Sequence, residues 1–135
     1  MRWLASGDSV FTAVMGALIA GIMYLLGGWN VALETLLVMM ALDYATGIIA
    51  AIHTKNLSSR IGALGILKKV GYLVMIMAAN MVDRLTGAGG GVHTIVIYFF
   101  VANEGISLVE NWERMGLPIP SVLRGALEQV RKRGK

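Results

Sequence analysis

Asn103-Glu104-Gly105-Ile106-Ser107-Leu108-Val109-Glu110-Asn111 lies inside an otherwise apolar segment that begins near Val92 and is long enough to enter a bilayer. On a helix, side chains three and four positions apart share a face. Asn103, Glu104, Ser107, Glu110 and Asn111 recur at those spacings and form one polar stripe, with Phe99, Val101, Ala102, Ile106 and Val109 largely elsewhere. Lipid offers no hydrogen bonds to such groups, so the stripe is expected to face a bundle interior or a water-filled cavity, and its ionisable members are functional candidates.

Composition points the same way. Hydrophobic residues make up 56% of the 135-residue chain and the mean hydropathy is +0.68, above the usual soluble range. The chain has no cysteine, which excludes a disulfide framework and a thiolate metal site, and the isolated His53 and His93 give no metal-ligand spacing. A net charge of +4 raises nucleic acid as a partner, but the basic residues sit between and after apolar blocks, where membrane orientation accounts for them. The acidic groups have no accompanying nucleophile, metal set or cofactor motif, so neither an enzyme nor a cofactor is expected.

Four apolar blocks, at residues 10–26, 31–52, 64–82 and 92–109, each approach the ~20 helical residues that cross a hydrocarbon core of ~30 Å. The expected fold class is all-α: a multi-span transmembrane helical bundle in a single membrane domain, 1–135, with four spans and a C-terminal amphipathic interfacial helix at about 120–133. The third block is the weakest, because its uninterrupted apolar run starts only at Val70 and Lys68 and Lys69 would have to snorkel to the surface. Three spans therefore remain an alternative. The first block follows Arg2 in the manner of a signal peptide but lacks a convincing small-residue cleavage site, and it is read as a retained span.

Loop charge predicts the orientation. The turn Gly27-Gly28-Trp29-Asn30 carries no basic residue, whereas 53–69 carries Lys55, Arg60, Lys68 and Lys69. The tail holds Arg114, Arg124, Arg131, Lys132, Arg133 and Lys135. Four spans with both termini in the cytoplasm satisfy the positive-inside tendency. Lys55, Arg60, Lys68, Lys69, Arg124, Arg131, Lys132 and Arg133 are expected to anchor at anionic headgroups, with Trp112 as an interfacial aromatic.

Within the first span, Ala13, Ala17 and Gly21 recur every four residues beside Gly16 and Ala20, a small-residue row suited to close helix packing, either within the chain or between copies. Asp43 lies in the middle of the second span, with Thr46 and Gly47 on or near the same face. A central carboxylate costs roughly 2.5–3.5 kcal/mol to insert, so Asp43 is expected to be hydrogen-bonded, protonated or set against water. Ser58 or Ser59 is placed to cap a helix starting near Ile61. Asn80 and Asp83 are candidates for bonds to other helices, although Asp83 beside Arg84 also fits a surface pair. After Gly116-Leu117-Pro118-Ile119-Pro120 breaks the fourth helix, Leu123, Ala126, Leu127 and Val130 form an apolar stripe opposite basic residues.

Taken in order, LDYATGIIAA at 42–51, KNLSSRIGALGILKKVGYLV at 55–74, ANEGISLVEN at 102–111 and GLPIP at 116–120 resemble the phage holins of the toxin-secretion and phage-lysis type. The resemblance covers roughly residues 30–130, and the first span matches only in character. It implies a small multi-span protein of the bacterial cytoplasmic membrane that forms homo-oligomers and opens lesions, with an endolysin or a toxin as passenger. No catalytic residues come with it. Asp43, Thr46, Gly47, Asn103, Glu104, Ser107, Glu110 and Asn111 are then the candidates for pore lining or oligomerisation. Two other classes stay open: a small ion channel or transporter, and an accessory subunit docking through its polar stripes.

Overall fold

A computed structural model describes residues 2–133, with the side chains of residues 2–6 and of Leu127, Val130, Arg131 and Arg133 outside that description. The anchoring roles expected of Arg131 and Arg133 therefore lie outside the described residues. Five helices follow one another: α1 (Arg2–Leu25), α2 (Val31–His53), α3 (Ser59–Thr86), α4 (Gly91–Arg114) and α5 (Ser121–Arg133).

Local chemistry sets the breaks. The Asn30 side chain accepts from the Leu33 amide at 2.9 Å and starts α2, and of the two serines the sequence offers it is the Ser58 hydroxyl that accepts from the Ile61 amide, at 3.2 Å, and starts α3. Gly87 ends α3 in the left-handed conformation, φ 69°, a geometry open to glycine because it has no Cβ.

Four helices are long and apolar enough to cross a membrane, with mean hydropathies between 1.6 and 1.9. The third is the longest, 28 residues or about 42 Å at 1.5 Å per residue. By length and composition it is one of the four candidate spans. The helix begins before the apolar block at residues 64–82 and takes in Arg60 as well as Lys68 and Lys69.

α2, α3 and α4 form the bundle, with α4 packed against both others. Each contributes a seam at spacings of three and four or their sums: Leu33, Leu36, Met40 and Ala50 on α2; Tyr72, Ile76, Ala79 and Asp83 on α3; His93, Ile97, Phe100, Glu104 and Asn111 on α4. The Tyr72 and Phe100 rings stack at 4.0 Å between centroids, and with Leu33, Leu36, Met40, Ile76 and Ile97 they make the apolar layer of the core.

α1 stands apart. Every described side chain from Gly7 to Ile22 is exposed, and a Cβ built on Gly16 or Gly21 would meet nothing within 4 Å. Packing of Ala13, Gly16, Ala17, Ala20 and Gly21 within the chain is thus not what forms. α1 is held at its C-terminal end, where Asn80 donates to the Tyr24 and Leu25 carbonyls at 3.2 and 3.0 Å. Arg84 donates to the Tyr24 hydroxyl and lies 4.0 Å from its ring centroid.

Candidate functional site

The polar residues of the three seams converge midway along the bundle. Lys69 Nζ lies 2.7 Å from Asp43 Oδ2 and 2.6 Å from Glu104 Oε2, so one ammonium on α3 bridges a carboxylate on α2 and another on α4. Asp43 to His53, Lys69 to Ser59 and Glu104 to Arg114 each span ten residues. All three groups therefore sit about 15 Å from the same end of the bundle, half of a ~30 Å hydrocarbon core. That end carries Lys55, Arg60 and Arg114 and is called here the basic end; the other, with Gly27-Gly28 and Gly87–Gly91, is the glycine end.

Asn111, two turns further along α4, braces the triad. Its amide nitrogen donates to the Asp43 carbonyl at 3.1 Å, to Asp43 Oδ1 at 3.0 Å and to the Thr46 hydroxyl at 3.2 Å. Gly47 makes room for it: a Cβ there would lie 3.4 Å from Asn111 Nδ2. The Thr46 hydroxyl itself donates back to the Leu42 carbonyl at 2.8 Å, which leaves its lone pairs free for Asn111.

From the triad a cleft of about 220 Å³ runs toward the basic end, floored by Asp43 and Lys69 and walled by Ser107, Glu110 and Arg114 on α4. Its α3 wall is low because Gly62 and Gly65 face Tyr44 of α2, whose hydroxyl lies 3.5 Å from a Cβ built on Gly62. Toward the glycine end the apolar layer closes the core, so the cleft is a one-sided vestibule.

The sequence-derived candidates divide accordingly. Asp43, Thr46, Gly47, Glu104 and Asn111 meet in one constellation, and Ser107 and Glu110 line the vestibule above it. Asn103 is half-buried beside Glu104 and joins neither group. Lys69 is the main correction among the expected surface anchors. It is one helical turn from Tyr72 of its seam and turns inward, because two carboxylates within 2.7 Å attract the ammonium more strongly than the distant headgroups do. Lys55, Arg60, Lys68, Trp112 and Lys132 are exposed, with Trp112 Nε1 donating to the Pro118 carbonyl at 3.2 Å. Arg124 pairs with Glu113 at 3.0 Å, an exposed bond between α5 and α4.

A second buried polar cluster closes the glycine end. Asp83 is 4% exposed and accepts from the Val92 and His93 amides at 3.1 and 2.8 Å, capping α4 from α3 where the helix dipole favours an anion. It is thus not the surface partner of Arg84. His93 Nε2 meets the Leu26 carbonyl, which only accepts, so Nε2 carries the proton. Gly27 fits over this contact: its φ is +90°, and a Cβ would lie 2.7 Å from His93 Nε2. In the sequence His93 is an isolated histidine with no visible partner. The signal available was the spacing of Lys69, Tyr72, Ile76, Asn80 and Asp83, which places these groups, though not Lys68, on one face of the third helix.

Four apolar helices whose charged groups pair in the interior define a small polytopic membrane protein. Comparison with known proteins makes the class specific: the chain belongs to the bacteriophage holin family, whose model matches residues 20–132. An uncharacterized protein of Clostridium perfringens strain 13 is 44% identical over 79% of this chain and 80% of its own length. One from Halalkalibacterium halodurans is 39% identical over 82% and 85%. A protein of Bacillus phage phi105 named a probable holin is 32% identical over 73% of each chain. No solved structure matches the chain.

Proposed function

We propose that this protein is a holin: it resides in the bacterial cytoplasmic membrane with both termini in the cytoplasm, self-associates, and opens lesions through which an endolysin or another large protein crosses. The role is non-enzymatic. The observation that carries this reading is the Lys69 bridge between Asp43 and Glu104. A single chain thereby hides the mid-depth charges of Asp43, Lys69 and Glu104 and presents apolar side chains such as Phe11, Ile19, Val74 and Ile95 to lipid. Such a form accumulates harmlessly, and parting α2, α3 and α4 would expose Asp43, Glu104 and Ser107 along a wet surface with Glu110, which is exposed already. The row Ala13, Ala17 and Gly21, free in the single chain, is the surface we assign to contact between copies.

The test is induction in bacteria with and without a cytosolic endolysin lacking its signal sequence, following membrane potential, culture density and release of a cytosolic reporter enzyme. Abrupt depolarisation with endolysin-dependent lysis and reporter release supports a holin. Ion leakage without reporter release supports a channel, the second reading, which the one-sided vestibule favours. Full insertion with potential and growth intact rejects both.

A further inference from the structure

Glu104 is fully buried and uses its two oxygens unequally. Oε2 accepts from Lys69, while Oε1 has no hydrogen-bond partner. The only other buried side-chain atom in that condition among the described residues is the Tyr72 hydroxyl, one turn along α3 from Lys69. Asp43 is fully served: Oδ2 accepts from Lys69 and Oδ1 from Asn111. A bare carboxylate oxygen sealed from water and from every donor is among the costliest groups a protein can bury.

Charge leads to the same atom. One ammonium faces two carboxylates, and two oxygens both within 2.7 Å of one nitrogen are no more than about 5 Å apart, so one negative charge of the pair is left without a countercharge. The remaining ionisable or charged groups around the vestibule are Tyr44 on α2, Lys68 on α3, and Glu110 and Arg114 on α4, all lining it with the floor residues. None of them donates to Glu104 Oε1. The position a metal cation would take between the carboxylates is occupied by Lys69 Nζ, which leaves a proton as the fitting ligand.

We propose that the triad is a proton-binding site served from one membrane face: Glu104 holds a proton on Oε1 beside the Lys69–Asp43 pair, and the vestibule is the route by which that proton exchanges with water. Asp43, whose side chain is 14% exposed, is the group at the vestibule floor, and Glu104, at 0%, is sealed behind it. With the proton bound the triad is neutral. Its release to vestibule water returns Glu104 to a carboxylate and leaves one net negative charge where α2, α3 and α4 meet, which weakens their association.

Infrared spectroscopy of the full chain in phosphatidylcholine and phosphatidylglycerol vesicles tests this. At neutral pH the wild type should show a carboxylic-acid C=O band that shifts when glutamate is labelled with ¹³C at the δ-carboxyl and disappears in Glu104→Gln. No such band, or one that ignores the glutamate label, overturns the proposal. The label decides on wild-type protein alone even if the variant does not fold. Because the chain has no cysteine, Ser107→Cys in the vestibule and Met77→Cys beside the apolar layer can be probed with a membrane-impermeant thiol reagent. Ser107→Cys should react from one face only and Met77→Cys from neither; reaction of Ser107→Cys from both faces overturns the one-sided route. Neither readout involves lysis, so the site stands or falls separately from the holin reading.

Discussion

Lys69 is the residue on which the core depends. Removing one partner of a buried ion pair strands the other, and such changes cost about 3–5 kcal/mol. Lys69→Met is therefore expected to lower stability by about that amount, read from denaturant unfolding in micelles by circular dichroism. Neutralising all three groups together, with Asp43→Asn, Lys69→Met and Glu104→Gln in one chain, should recover most of the loss, because coupled sites are not additive. A triple variant as unstable as Lys69→Met alone would mean that the triad is not one unit. Asn111→Ala removes three donations to α2 and should cost about 1–3 kcal/mol in the same assay.

Between helices, apolar burial contributes little in lipid, since the alternative surroundings are as oily as the core. What holds α2, α3 and α4 together is therefore packing and the two polar clusters at mid-depth and at the glycine end. Gly27 is where an element boundary meets the second cluster. Gly27→Ala would demand a left-handed alanine, about 1–2 kcal/mol by itself, and would drive its Cβ to within 2.7 Å of His93. We expect it to free α1 from the bundle, seen as rapid protease cleavage in the α1–α2 turn while 31–114 stays resistant. Equal resistance in wild type and variant would show that the α1 attachment lies elsewhere. Glycines at 47, 62 and 65 act differently, by lowering helix surfaces so that Asn111 and Tyr44 can approach.

For the whole molecule, the charge pattern and the closed core make separate predictions. If the basic end faces the cytoplasm, Ala88→Cys in the α3–α4 loop should react with an impermeant maleimide in intact spheroplasts, and Leu57→Cys in the α2–α3 loop only after permeabilisation. The opposite pattern inverts the topology. If closure hides the polar groups that line a lesion, Lys69→Met should bring lysis earlier at matched membrane levels, and Glu104→Gln with Glu110→Gln should alter its timing. Unchanged timing in both would remove these residues as determinants of opening.

Much of this protein is legible in its residues taken alone. Helix number, the breaks at Asn30, Ser58 and Gly87, and the polar face of α4 follow from periodicity and capping, which depend on neighbours within one or two turns. Asp43 and Glu104 are visible as anomalies because a carboxylate in an apolar run has no local satisfaction. Their partner is not visible, since Lys69 lies 26 residues from one and 35 from the other, and the same lysine next to Lys68 fits headgroup anchoring equally well. The isolation of α1, the capping of α4 by Asp83 and the role of His93 share that character. Each depends on which helix faces are brought together, and in lipid that choice is made by pairing buried polar groups across helices, a long-range condition that no local pattern contains.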